Sequence, residues 1–327
     1  MAYYNVSEMR ETLREYPQFQ KRLYCKGFLI TNEKQNVNSE YPFYSNWKEK
    51  QINSYFYMYT HEETYAYTYE KGNIIYFIVG HAYDPYNMLV DENEILEHLA
   101  IAKEKSDEKY WEEESKLTGV FCIGYIIKDE IVYTTDCAGM QLVYHGLINN
   151  MLFITSHGKL VADLKGLEQS EYIKRLTTNK YWHYWGTWLP GDLSPFSELK
   201  RMVPNHAGEY SNKTKNINVF RFYPTQKIIE TSTEKEYKET ICELGRIMSN
   251  TMKCIANKWP EKKISISVTG GRDSMTALAC ANRVYDKFKY FSYISNIDES
   301  VDAYAAKEIL QHLGLEHELY EIPEEWA

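Results

Sequence analysis

The segment Ile264-Ser-Ile-Ser-Val-Thr-Gly-Gly-Arg-Asp-Ser-Met-Thr-Ala-Leu278 constrains this chain more than any other. Ile264 to Val268 reads as a short β-branched strand, and Ser274 to Val284 reads as a helix. Between them, Gly270 and Gly271 let the backbone come close to an anion, and the helix N-terminus directs N–H groups and partial positive charge at the same point. The hydroxyls of Thr269 and Ser274 are placed to donate to phosphate oxygens. Asp273 is out of keeping beside an anion unless a divalent cation lies between them, which points to a nucleotide with Mg²⁺. A bare Gly-Gly pair is equally a tight turn, with Asp273 or Ser274 capping the helix. The strand before it and the helix after it favour phosphate.

The same alternation continues downstream. Phe288 to Ile294 predicts a strand, Val301 to Leu313 a helix and His317 to Ile322 a strand, the βαβ order of a parallel sheet with its ligand at the carboxyl ends of the strands. Upstream, Thr231-Ser-Thr-Glu-Lys-Glu opens a long amphipathic helix carrying Tyr237, Ile241, Leu244, Ile247, Met248, Met252 and Ile255.

The chain before Pro224 is laid out differently. Short tyrosine-, isoleucine- and valine-rich runs at Asn53–Tyr59, Ile74–Val79, Gly119–Ile127, Ile131–Thr134 and Met151–Thr155 predict strands. Lys128-Asp129-Glu130 joins two of them as a hairpin, which favours an antiparallel sheet with helices packed on it. Asp91 to Lys116 predicts one amphipathic helix and its loop, and Tyr181 to Tyr210, dense in glycine and proline, predicts an ordered loop region.

Composition narrows the classes. Hydrophobic residues at 44% and charged residues at 25% are those of an ordinary folded protein. A net charge of −9 argues against life on a nucleic-acid backbone. No run approaches the roughly 18–20 apolar residues of a membrane helix, so a cytoplasmic location and no membrane partner are expected. The 30 tyrosines are scattered and name no function. The six cysteines, Cys25, Cys122, Cys137, Cys242, Cys254 and Cys280, have no zinc-type spacing and read as buried free thiols.

Thr269-Gly270-Gly271-Arg272-Asp273-Ser274 resembles the SGGxDS pyrophosphate loop of the ATP pyrophosphatases, with threonine for the first serine. Ser300 to Gly314 followed by Glu316-His317-Glu318 is similar to the helix and strand after that loop in asparagine synthetases. Trp188-Leu-Pro-Gly, Pro195-Phe and Val203-Pro204-Asn-His206 resemble that family's crossing segment over Tyr181–Tyr210. Asp136-Cys-Ala-Gly139-Met-Gln-Leu-Val-Tyr144 resembles the RDxxGxxPLYY strand pair of the class II glutaminase domain, and Phe153-Ile-Thr-Ser156 loosely matches its FxSE.

The resemblance implies an α+β, Ntn-hydrolase-like N-terminal domain of layered antiparallel sheets over residues 1–224, with its crossing segment at 181–210. It implies a partial α/β parallel-sheet ATP-pyrophosphatase domain, adenine nucleotide α-hydrolase-like, over 225–327. Val268, Thr269, Gly270, Gly271, Asp273, Ser274 and Ser295 would bind ATP, and Asp273 would hold Mg²⁺. The family's nucleophile is an exposed N-terminal cysteine, a thiol activated by its own α-amino group. Ala2 stands at that place here, and Val79-Gly80-His81-Ala82-Tyr83 replaces the family's Asn-Gly-Glu oxyanion segment, so glutamine hydrolysis is not expected. His81 at a strand end reads as structural. Asp298, Glu299 and Asp302 lie near a strand end, and Asp302 is expected to cap the following helix.

The implied reaction is ATP-dependent, AMP-forming amide synthesis on a carboxylate-bearing small molecule or peptide. Only about a hundred residues follow Pro224, so one whole domain and the first part of another are expected. The family's second magnesium carboxylate and its catalytic lysine or tyrosine would lie further on. This leaves open a non-catalytic nucleotide-binding or scaffold chain that works with a second polypeptide. A tRNA-thiolating enzyme is disfavoured by the acidic balance and by the lack of a catalytic cysteine pair.

Overall fold

The computed structural model describes residues 6–180, 182–185, 188–228, 230–259, 264–295 and 297–323. The chain divides into two compact units, one of Met1–Ala82 with Leu96–Lys227, the other of Tyr83–Ile95 with Ile228–Ala327.

The first unit is built on two six-stranded sheets. One runs in the order β10 (Lys200–Arg201), β8 (Tyr144–Ile148), β9 (Met151–Thr155), β1 (Phe28–Thr31), β3 (Tyr57–His61), β2 (Trp47–Gln51). Every neighbouring pair in it is antiparallel. The other runs β12 (Asn216–Arg221), β11 (His206–Ser211), β7 (Glu130–Thr135), β6 (Thr118–Ile127), β5 (Ile74–Tyr83), β4 (Ala66–Lys71). Phe28, Ile30, Met58 and Ile154 from the first sheet and Phe77, Val79, Ile126 and Tyr133 from the second form one shared core. The strand residues of opposite parity are also buried. Leu29, Tyr59 and Phe153 pack with Leu160 and Val161 of α4 (Gly158–Lys165) on the outer face of the first sheet. On the outer face of the second, α3 (Asp107–Glu114) sets Trp111 against Phe222, with ring centroids 4.4 Å apart, and Tyr110 edge-on to Tyr125 at 5.1 Å. Helix, sheet, sheet and helix are thus layered around buried strands, which is why these strands read as continuous apolar runs.

Several elements differ from the sequence expectation. The Asp91–Lys116 stretch holds two helices, α2 (Glu92–Lys105) and α3, because Ser106 turns extended and its hydroxyl accepts the Lys109 N–H as an N-cap. The strand expected over Asn53–Tyr59 begins only at Tyr57. Asn53 makes a turn by accepting the N–H groups of Tyr55 and Phe56 on its side-chain oxygen. Tyr181–Tyr210 is not loop throughout: it contains Trp182–Trp185 as a short helix, β10 and most of β11. His81 lies inside β5 rather than at its end. The thiols are free, yet only Cys122 and Cys254 are buried, and Cys137 and Cys242 are exposed.

The second unit has a three-stranded parallel sheet, β13 (Ile264–Ser267), β14 (Phe288–Ile294), β15 (His317–Glu321), in sequence order. Its strands are joined by α8 (Arg272–Cys280) and α9 (Ile297–His312). Right-handed crossovers between strands in this order put both helices on one face. There Val268, Leu278, Phe288, Tyr290, Ala306 and Leu310 form a core joined by Ala256 of α7 (Glu234–Lys258). Helix α7 starts with the expected capping box: Thr233 accepts the Glu236 N–H, and Glu236 accepts the Thr233 N–H in return. Near its other end Lys258 and Glu92 form a buried ion pair, and Lys258 also donates to the Val90 carbonyl at 2.6 Å.

Candidate functional site

Strand β13 ends at Ser267, and five residues later, at Arg272, the chain is helical. Val268 is buried, and its N–H donates to the Phe291 carbonyl of β14 at 2.9 Å, which extends the parallel ladder to the lip of the loop. Ser292, fully buried on β14, donates its hydroxyl to the Val268 carbonyl and lies 2.9 Å from Nε2 of His317 on β15. Burial, with Lys307 nearby, lowers the His317 pKa, so the neutral ring is favoured as the partner of Ser292.

The loop itself is tied internally. Thr269 N–H donates to Ser274 Oγ at 3.0 Å, Gly271 N–H to Thr269 Oγ1 at 3.1 Å, and Gly270 N–H to the Asp302 carbonyl at 3.0 Å. Ser274 Oγ in turn lies 3.0 Å and 3.1 Å from the Thr269 and Gly271 carbonyls. Both hydroxyls thus shape the loop in the structure. The donors left facing outward are those of the α8 first turn. Its first helical bond runs from Met275 N–H to the Gly271 carbonyl, so the N–H groups of Arg272, Asp273 and Ser274 have no place in the helical ladder. Gly271, the N-cap, gives α8 no side-chain cap. The helix also starts at Arg272, two residues before the expected Ser274, and ends at Cys280 rather than Val284.

Gly270 is held close to α9. A Cβ there would lie 2.8 Å from Oδ1 of Asp302 and 3.4 Å from Cβ of Ala305. Asp302 is not the expected helix cap, because α9 begins at Ile297, five residues earlier, and Asp302 instead faces the loop. Ser295 gives its N–H (2.8 Å) and its hydroxyl (2.7 Å) to the Glu299 carboxylate, which closes the turn after β14.

The structure thus brings Val268, Thr269, Gly270, Gly271 and Ser274 together in one loop, with Asp273 exposed on its helical side and Ser295 at the end of the neighbouring strand. A divalent cation would find Asp273 and the phosphate oxygens it serves. Among the described residues there is no cluster of three or more metal-ligating side chains. One carboxylate plus phosphate oxygens and water is a set Mg²⁺ commonly accepts. Ala2 and the side chain of Asp298 lie outside the described residues.

In the first unit, Asp136 accepts the N–H groups of Ala138, Met140 and Gln141. Ser156 Oγ accepts the Phe28 N–H at 2.8 Å, pinning β1. His81 packs on Tyr65 with ring centroids 4.7 Å apart. Sequence reasoning overlooked Glu114, the last of three consecutive glutamates. It lies one turn after Tyr110 on the inward face of α3 and is 4% exposed. Burial first, and the charge of Asp136 second, push its carboxyl up to about 8. The helical spacing from Tyr110 was the available signal.

The fold and loop define a class in broad terms: layered, largely antiparallel sheets with helices, and beside them a small parallel sheet with a glycine-rich strand-to-helix loop. No family model matches the sequence, and no curated protein matches it. Solved structures give remote likenesses. One is glutamine phosphoribosylpyrophosphate amidotransferase from B. subtilis complexed with ADP and GMP, 12% identical over 84% of this chain and 61% of that one, TM-score 0.36. Another is the allosteric regulatory enzyme of purine biosynthesis, 11% identical over 93% of this chain and 78% of that one, TM-score 0.38. A third is glutamine-dependent NAD⁺ synthetase from Acinetobacter baumannii in complex with ADP, 15% identical over 39% of this chain and 22% of that one, TM-score 0.23. The chain spans less than two thirds of the amidotransferase and about a fifth of the NAD⁺ synthetase. At these scores the likenesses assign neither residue nor activity. Among the described residues no helix is long and apolar enough to cross a membrane.

Proposed function

We propose that the chain is an asparagine synthetase-like protein of ATP-dependent amide-bond formation, whose first unit lacks glutaminase activity. ATP supplies the adenylyl group that activates a carboxylate, with pyrophosphate as leaving group and an amine displacing AMP. The α8 first-turn N–H groups of Arg272, Asp273 and Ser274 receive the pyrophosphate, with Gly270 and Gly271 keeping Cβ atoms out of its way. Asp273 holds Mg²⁺ against it, and Val268 and Ser295 border the nucleotide at the strand ends. Catalysis in this arrangement is charge neutralisation and positioning. The substrate is a carboxylate-bearing small molecule or peptide, and the boundary between the two functional parts falls near Pro224.

The observation that carries this reading is the direct handover from a parallel strand, through buried Val268 and then Gly270-Gly271, to a helix whose N-cap has no side chain. ATP–pyrophosphate exchange with a panel of carboxylates tests it. Exchange that needs both Mg²⁺ and a carboxylate, and that falls at least tenfold in Asp273→Ala, is expected. Absence of exchange, together with absence of ATP binding, contradicts it.

A second reading is a nucleotide-binding or scaffold chain that works only with a second polypeptide. The uncovered outer face of the parallel sheet favours it. ATP binding without exchange, restored to exchange by a second chain, is its expected result.

A further inference from the structure

A second, independent site lies in the first unit. A cavity of about 140 Å³ opens where the end of α3 meets the end of β7 and the residues after β12, and Glu114, Ser115, Thr135, Cys137, Phe222 and Tyr223 line it. Among the described lining residues the one carboxyl is that of Glu114. Glu114 is 4% exposed and its carboxyl has no hydrogen bond from a described residue, while its neighbour Asp136 accepts three backbone N–H groups. Ser115 donates its hydroxyl to the Glu112 carbonyl at 2.9 Å, and Thr135 donates to the Gln141 carbonyl at 2.5 Å. Both can therefore offer a ligand only lone pairs. None of the described lining residues is basic. The remaining wall is Leu117, the Asn205 amide, which can accept as well as donate, and the rings of Phe222 and Tyr223, with Phe222 fixed by stacking on Trp111.

A buried carboxyl without a partner is costly when ionised, and a cation that enters beside it removes that cost. Acceptor oxygens require a ligand that brings N–H donors, and ring faces favour positive charge. An anion would find no basic side chain in the lining to pair with. The volume is that of about four or five water molecules, room for ammonium or a short alkylammonium.

We propose that the Glu114 cavity is a binding site for a small primary ammonium ion, with Glu114 ionised as its counter-charge and Ser115 and Thr135 accepting its N–H donors. The proposal concerns the first unit alone and stands whether or not the Thr269–Ser274 loop binds ATP. At neutral pH the Glu114 carboxyl carries a proton, so occupancy by a cation expels that proton to solvent.

The test uses the protein with methylammonium chloride as probe, against tetramethylammonium and potassium chloride at matched ionic strength. Cys137 borders the cavity, while Cys242 is exposed on α7 and serves as an internal control. Methylammonium is expected to slow iodoacetamide labelling of Cys137 at least fivefold and leave Cys242 unchanged. Calorimetry in two buffers of different ionisation enthalpy is expected to show close to one proton released per methylammonium at pH 7. Glu114→Gln is expected to lose both effects, and Thr135→Val to weaken them severalfold in a protein that keeps the carboxyl. Equal slowing by all three salts, binding without proton release, or full protection of Cys137 in Glu114→Gln overturns the proposal. If Glu114→Gln does not fold, the salt comparison and proton count on the unmodified protein and on Thr135→Val decide.

Discussion

The two units handle their sheets in opposite ways. In the first, residues of both parities are buried: in β9, Leu152 and Ile154 face the shared core while Phe153 faces α4. In the second, one parity of β14 (Phe288, Tyr290 and Ser292) is buried and the other is not, and no residue of β15 is buried. Phe291, Tyr293 and Tyr320 cluster on the outer face with centroids 5.2–6.0 Å apart, and Tyr293 remains 54% exposed. Helix α7 shows the same contrast along its length, with Tyr237, Ile241 and Leu244 exposed and Cys254 and Ala256 buried. Parallel sheets are ordinarily covered on both faces. Burial, rather than secondary structure, is what separates a self-sufficient unit from one that presents apolar surface.

That contrast predicts a graded response to mutation. Phe77→Ala, in the shared core of the first unit, is expected to cost about 3–5 kcal/mol, read as loss of hydrogen-exchange protection in peptides of both sheets. An effect below about 1 kcal/mol would mean that the two sheets do not share a core.

Next in size is a pH effect from Glu114. The unfolded chain releases this proton near 4.5, whereas the folded chain keeps it to about 8. Between those values the folded state holds the extra proton, so stability falls as pH rises through the window, by roughly 4 kcal/mol in total. Burial sets most of this shift, and the nearby Asp136 adds to it. Urea midpoints measured from pH 5 to 8 are expected to decline, and Glu114→Gln is expected to flatten the slope.

Gly270→Val is expected to be milder, about 1–3 kcal/mol, because the first atom its Cβ meets is the end of the Asp302 side chain, which can turn aside. Hydrogen exchange in α9 would report it. Smallest of all, Leu244→Ala is expected to change stability by no more than about 0.5 kcal/mol. A large loss there would show that α7 is packed along its whole length, and the contrast between the units would fail.

The sequence was most legible where local signals agree with tertiary placement. Met151–Thr155 and Phe288–Ile294 have the strand limits expected of them, because in each an apolar or aromatic run stops at turn-forming residues. The capping box fixed the start of α7 for the same reason. Elsewhere a distant partner decides the outcome. Ser106 divides a continuous helical pattern through one side-chain cap, and β10 is a two-residue strand that only pairing with β8 defines. In the loop, the glycines and their flanking elements could be read directly. That Ser274 and Thr269 would bond to each other, and that Asp302 would reach Gly270 from the next helix, depends on packing that no local pattern encodes. Glu114 was hidden by its composition, since a run of glutamates ordinarily marks a solvated face.

The central claim is that the Thr269–Ser274 loop receives a nucleotide phosphate, and the most direct measurement is hydrogen exchange with and without Mg²⁺-ATP. New protection is expected only in peptides spanning residues 268–276 and 292–299, abolished in Asp273→Ala, with the first unit unchanged. Unaltered exchange in the loop at millimolar Mg²⁺-ATP, or protection that persists undiminished in Asp273→Ala, would contradict it.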